Sequence, residues 1–232
     1  MNKLFFAALA MTCCSVAAAA EVTINKSKNF TKLTEFIALD NKQTYLLKVD
    51  AAGGKGHLDI MIDQYSGGKK RIAPHQVNAS FGTQTELAAN AVKGEKSFLV
   101  KDASKWNPAR HGRLVAFKAQ EDFSDLPNYR LAYYITQIKQ ENDLWRITMD
   151  RSLSATYPAG TPIRLHADTG YLTIRLKLPL KTPYIGRIDP APQYGAKYAT
   201  LWPQAKFYRL MVRSASEEPV VIKSATLTPK TR

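Results

Sequence analysis

Alternating hydrophobic and polar residues, the period-2 pattern of a half-buried β-strand, recur along this chain. In residues 57–65 (HLDIMIDQY), Leu58, Ile60 and Ile62 share one predicted face, and polar residues occupy most of the other. Residues 171–178 and 207–213 repeat this alternation, and turns rich in glycine and proline separate the segments. With no convincing helical periodicity, the pattern predicts an all-β sandwich or barrel.

The middle of the chain carries a strand pattern of its own. Residues 95–117 read as strand, polar turn and strand, and residues 144–149 and 163–166 continue the pattern after further turns. The segments on either side each contain too few strands to close a sandwich alone. We therefore predict a sandwich formed by residues 21–90 plus 167–232, with an inserted β-module at residues 91–166.

Residues 1–20 have the layout of a secretory signal peptide: Lys3, an apolar run, and a tail ending in alanines. The apolar run is shorter than the ~20 residues that a membrane span needs. We expect cleavage after Ala20 and a secreted or periplasmic protein with no membrane span; a lipid anchor on Cys13 or Cys14 is the alternative. Both cysteines lie in this segment, so the mature chain would form no disulfide.

The charge balance points to a polyanionic partner. The full chain has 33 Lys and Arg residues against 19 Asp and Glu residues, a net charge of +14. Such an excess attracts acidic polysaccharides, lipopolysaccharide or DNA, although it also serves solubility alone. The basic residues form no run of five or more, which argues against a dedicated nucleic-acid site.

Four sequence stretches resemble an exported bacterial jelly-roll module that is similar to carbohydrate-binding, galactose-binding-like domains. They are residues 83–87 (TQTEL) leading into 97–106 (SFLVKDASKW), 123–128 (FSDLPN), 156–166 (TYPAGTPIRLH) and 201–203 (LWP). The resemblance implies a jelly-roll sandwich and a glycan-related role. Modules of this kind often hold a structural calcium through paired aspartates in the last strand, but residues 221–227 (VIKSATL) contain no carboxylate. We therefore predict no calcium site and no other cofactor.

No catalytic motif accompanies the strand pattern. The four histidines are scattered without the spacing of metal ligands. Asp59 and Asp63 lie on one strand face, roughly 13 Å apart by strand rise, which is too far for the carboxylate pair of a glycosidase. We predict a protein that is not an enzyme. A polysaccharide lyase is the third reading, although the strand motifs usual in jelly-roll lyases do not occur.

The predicted function is non-catalytic binding of a polysaccharide or glycoconjugate, including an anionic one. The candidate ligand-binding residues are six on the polar strand faces and one in a loop: Asp59, Asp63, Tyr65, Tyr171, Arg175, Arg209 and Trp202. Arginine pairs with carboxylates or sulfates in a fork, and aromatic rings stack on sugars. Two alternatives stay open: the charges pair across strands on a solvated face, or the protein is an envelope or extracellular interaction module without a sugar ligand.

Two further features are interpreted as structural. The polar loop containing Asp122, Ser124, Asp125 and Asn128 is expected to shape turns by hydrogen bonds to nearby backbone. Trp106, at a turn, and Trp145, in a strand, are expected to pack rather than to bind.

Overall fold

The structure, a computed structural model, describes residues 21–168, 170–190, 200–202 and 204–230. The predicted signal peptide therefore lies outside the described residues. Within them the chain forms short and long β-strands and two one-turn helices. In chain order these are β1 (Val22–Ile24), β2 (Thr31–Lys32), β3 (Ile37–Ala38), β4 (Tyr45–Gly53), β5 (Gly56–Tyr65), α1 (Pro74–Val77), β6 (Thr85–Glu86), β7 (Ser97–Val100), α2 (Pro108–His111), β8 (Leu114–Phe117), β9 (Leu131–Ala132), β10 (Ile135–Glu141), β11 (Leu144–Met149), β12 (Pro162–His166), β13 (Thr173–Leu178), β14 (Tyr184–Pro190), β15 (Thr200–Leu201), β16 (Phe207–Ser214) and β17 (Val220–Pro229).

Two five-stranded sheets form the sandwich, and the all-β prediction is confirmed. The first sandwich sheet has the order β1-β17-β4-β14-β15; the second has β13-β5-β16-β2, and β3 also pairs with β16. The predicted core residues of β5, Leu58, Ile60 and Ile62, are at most 1% exposed. They belong to one hydrophobic cluster with side chains of both sheets, such as Leu47 of β4 and Leu210 of β16. Burial of these alternating residues stabilises the sandwich.

The strands from β6 to β12 form two smaller sheets, which we call the insert. One sheet has the order β6-β12-β8-β9, the other β10-β11-β7, and a second hydrophobic cluster joins them. Thr85 of β6 pairs with Ile163 of β12, so a strand that precedes residue 91 also joins a sheet of the insert. Its entry and exit lie side by side: the Ser80 amide donates to the Leu165 carbonyl at 2.9 Å. The division into domains at residues 90 and 166 remains a prediction.

The sequence pattern did not predict several elements, and the reasons are local. Helices α1 and α2 each have a proline in the first turn, where a missing backbone N–H costs nothing, and Asn107 caps α2 by accepting from the Ala109 and Arg110 amides. Strand β10 has mostly exposed side chains, and β14 contains glycine and proline, so neither shows a clean hydrophobic alternation.

Gly112 marks a close approach between the end of α2 and the exit of the insert. Its φ is +91°, and a Cβ at this position would lie 2.3 Å from the His166 carbonyl oxygen. We expect Gly112→Ala to lower the free energy of unfolding by roughly 2 kcal/mol, through backbone strain and this contact. Urea denaturation measures the loss. Gly160→Ala is the matched control, because Gly160 has a φ of +78° with nothing within 4 Å; an equal loss in both variants would show that the contact is harmless.

Candidate functional site

The predicted polar residues lie together on the outer face of the second sandwich sheet. Arg175 of β13 stands opposite Asp59 of β5, and Arg213 of β16 stands opposite Asp59 from the other side. Asp63 is likewise opposite Arg209. The registers therefore place cations and carboxylates of three adjacent strands in neighbouring positions. We call this surface the basic face.

Asp59 is held by two arginines. Its side chain accepts bonds from Arg175 Nε (2.8 Å to Oδ1) and Nη2 (3.2 Å to Oδ2), and from Arg213 Nε (2.9 Å to Oδ2). The hydrogen bond from Arg175 leads the interactions that lower the pKa of Asp59 below its usual value, so this carboxylate stays ionised. Asp59 is 4% exposed although it faces away from the core, because the arginines cover it.

Asp63 lies at the centre of a second polar cluster. It is 2% exposed and accepts from Arg71 Nε at 2.8 Å and from the Tyr65 hydroxyl at 2.6 Å. Burial, followed by the bond to Asp63, raises the pKa of Tyr65. The Arg71 guanidinium lies 4.4 Å from the centre of the Tyr171 ring. Asp63 and Tyr65 are thus occupied by the protein's own donors and rings, and Tyr171 remains half-buried at the surface.

Arg209 stacks on aromatic rings. Its guanidinium carbon lies 3.5 Å from the centre of the Phe36 ring and 5.6 Å from that of Tyr65. Its ion-pair contact is Glu35, at 3.8 Å, and that carboxylate is 74% exposed. The Arg209 Nε atom is buried without a hydrogen-bond partner. Arg209 is therefore held in place mainly by the aromatic rings, and its charge is only weakly compensated.

Cations outnumber carboxylates on the basic face. Asp59 and Asp63 are buried, and Glu35 pairs with Lys32 and Arg209. Within the described chain, no carboxylate forms an ion pair with Lys69 or Lys177. The seven cations of this face are Lys32, Lys69, Arg71, Arg175, Lys177, Arg209 and Arg213, and its three carboxylates are Glu35, Asp59 and Asp63.

Trp202 does not join the basic face. It is 7% exposed and belongs to the hydrophobic core of the sandwich. The Gln64 side chain accepts from the Trp202 amide at 2.7 Å, and Asn41 donates to the Trp202 carbonyl at 3.2 Å. Its ring is a packing element, without an exposed surface for a sugar. Tyr194 and Tyr198, which precede Trp202 in the chain, lie outside the described residues.

A buried polar junction links α1, β12 and the loop before residue 128. The fully buried Arg164 donates from Nη2 to Asp125 at 2.7 Å and from Nη1 to the Gln120 carbonyl at 2.9 Å. Its Nε lies 3.1 Å from Nε2 of His166. Asn128 Nδ2 also donates to Asp125, at 2.8 Å, so the predicted structural role of this polar loop agrees with its contacts. Nothing in the sequence of β12 predicted that Arg164 and His166 would meet Asp125, because the contact joins segments that are distant in the chain.

His166 is neutral in this junction. Its Nδ1 lies 2.7 Å from the carbonyl oxygen of His75, which only accepts, so Nδ1 carries the proton and Nε2 accepts from Arg164. Burial lowers the pKa of His166 from 6.5 to about 4. Because its groups are enclosed and satisfied by one another, we assign the junction to stability rather than to ligand binding.

The described residues offer no metal centre: they contain no group of three or more His, Cys, Asp or Glu side chains that could hold an ion. In the same part of the chain, no helix is long and apolar enough to cross a membrane.

No protein-family model, curated protein or solved structure matches this chain. The basic face is the candidate functional site because its charged side chains lie together on one surface.

Proposed function

We propose that this protein is a non-catalytic binding protein for an anionic polysaccharide, which lies across the basic face. The observation that carries the proposal is the excess of seven cations over three carboxylates on the outer face of one sheet and the loops beside it. A flat, positively charged surface concentrates an extended polyanion along its length. Arginines at fixed positions add directional pairing with carboxylates or sulfates.

The buried carboxylates would act as supports rather than as ligand contacts. Asp59 orients Arg175 and Arg213, and Asp63 orients Arg71, so that these guanidinium groups have little conformational entropy left to lose on binding. Arg175 is 61% exposed in its side chain, which leaves it accessible to a ligand. Tyr171, beside Arg71, is the aromatic ring best placed to stack on a sugar.

The strand order supports a jelly roll. With the eight sandwich strands β1, β2, β4, β5, β13, β14, β16 and β17 numbered one to eight, the sheets read 1-8-3-6 and 5-4-7-2. Two interlocked Greek keys produce this order. From this order we infer a jelly-roll sandwich of the galactose-binding-like kind. From the signal-peptide layout of residues 1–20 we infer a secreted or periplasmic location.

Neutralising two weakly compensated cations tests the proposal. We expect the double variant Lys177→Gln/Arg209→Gln to bind polygalacturonate or dextran sulfate roughly 30-fold more weakly, at about 1 kcal/mol for each lost charge contact. Affinity electrophoresis of the full chain measures the change. Wild-type binding should also weaken with added salt.

The matched control is Lys48→Gln/Lys223→Gln, which removes the same charge from exposed positions on the first sandwich sheet. It should bind like the wild type. Equal weakening in both double variants would mean that only net charge matters. A wild-type protein that binds none of these polymers would favour the alternative of an envelope interaction module without a sugar ligand.

A further inference from the structure

The insert contains a groove between α2 and the edge strand β10. Its volume is about 820 Å³, within the range of ligand clefts. The apolar part of its lining comes from Trp106, Pro108, Ile135, Ile138 and Trp145, and the polar part from Thr136, Gln137 and Arg113. An apolar wall with a few polar groups at its rim is the composition expected of a sugar-binding groove.

The two tryptophans of the groove differ in their burial and in their hydrogen bonding. Trp106 is 8% exposed, and its Nε1 donates to the Thr83 carbonyl at 2.8 Å, so this ring forms a fixed wall. Trp145 is only half-buried and packs against the insert core near the start of β11. Its indole therefore presents apolar surface to the groove. The predicted packing role explains the burial of Trp106, but it does not explain why part of the Trp145 ring is exposed.

Arg113 supplies a cation at the groove. Its side chain is exposed, and among the described residues no carboxylate forms an ion pair with it. Its guanidinium carbon lies 5.5 Å from the centre of the Tyr134 ring, whose hydroxyl donates to Asp168 at 3.0 Å. The Arg113 carbonyl accepts from the Ile135 amide at 2.8 Å, which ties its backbone to β10. A cation and a half-buried indole that line the same groove are complementary to an acidic sugar.

We propose that this groove is a second glycan site, which binds an acidic sugar residue. In it the sugar ring lies against the Trp145 indole, and the carboxylate or sulfate pairs with the Arg113 guanidinium. Thr136 and Gln137 are placed to exchange hydrogen bonds with sugar hydroxyls. The inference rests on the proposed function for its ligand class, but it uses none of the residues of the basic face.

Tryptophan fluorescence of the full chain reads this site, because Trp145 and Trp106 both line the groove, whereas Trp202 lies in the core of the sandwich. Titration with galacturonate oligosaccharides tests the carboxylate, and titration with sulfated dextran oligosaccharides tests the sulfate. A saturable change with either supports the proposal and identifies the acidic group. The change should be largely lost in Trp145→Phe, because the half-buried indole is the ring that the sugar would contact, and Arg113→Gln should weaken binding at least tenfold. The matched control Arg110→Gln alters an exposed arginine of α2 outside the groove lining and should leave it unchanged.

The outcomes separate the two sites. If the wild type binds acidic polymers in electrophoresis but shows no fluorescence change, the groove is refuted and the basic face stands. If neutral dextran oligosaccharides produce the same change, the acidic assignment is wrong. If Lys177→Gln/Arg209→Gln retains full affinity while Arg113→Gln loses it, the groove stands and the basic face fails. If the wild type binds no glycan in either assay, both proposals fail.

Discussion

Replacing Arg164 with alanine is expected to lower the free energy of unfolding by about 3–5 kcal/mol. The guanidinium is fully buried and pairs with Asp125, whose side chain is 4% exposed. Without Arg164, the Asp125 charge would remain buried without its counter-ion, and the Gln120 carbonyl and His166 would each lose a donor. Urea denaturation at pH 7 measures the loss.

A surface ion pair provides the control for this prediction. Arg146 donates to Glu141 at 2.9 Å within the insert, but the two side chains are 40% and 30% exposed. Arg146→Ala should cost no more than about 1 kcal/mol. The double variant Arg164→Met/Asp125→Asn should lose less than Arg164→Ala, because no charge is left unpaired. Equal losses in Arg164→Ala and Arg146→Ala would contradict the role assigned to the buried junction.

Acidification from pH 6.5 to pH 4 is expected to remove roughly 3 kcal/mol of stability through His166 alone. In the unfolded chain this imidazole takes up a proton near its ordinary pKa of 6.5, whereas in the folded protein burial lowers its pKa to about 4. Between these values the unfolded state binds more protons, so stability is present above pH 6.5 and declines as the pH falls. Burial also lowers the pKa of His75, which adds to the same decline.

Urea midpoints at intervals between pH 4.5 and pH 7 measure this slope. His166→Gln should be less stable at pH 7 but should show a flatter slope, because the titrating group is gone. Asp59 does not interfere, because its pKa is lowered from 3.8 and its contribution is lost only below that value. An unchanged slope in His166→Gln would contradict the assignment.

The buried junction also bears on the proposed binding sites. It ties α1, which follows β5 in the chain, to β12 and the loop at Asp125, which belong to the insert. The basic face is built on β5, and the groove is built on the insert. We therefore expect destabilisation of this junction to reduce glycan binding only through loss of folded protein.

Alternation along the chain was enough to predict the all-β class and the inward residues of the long strands. Leu58, Ile60 and Ile62 were predicted to face the core from alternation alone, and they do so because side-chain direction in a strand is a local property. The same alternation placed Asp59 and Asp63 on the opposite face. Exposed or interrupted strands such as β10 and β14 were missed because their alternation is weak.

The contacts of those polar residues, in contrast, could not be predicted from alternation. Arg175 and Arg213 reach Asp59 from positions 116 and 154 residues away in the chain, so their pairing depends on strand register, which no local pattern encodes. The burial of Trp202 in the core, the convergence of Arg164, His166 and Asp125, and the groove lined by both Trp145 and Arg113 have the same origin. Each depends on which distant segments pack together, and that is set by the whole fold.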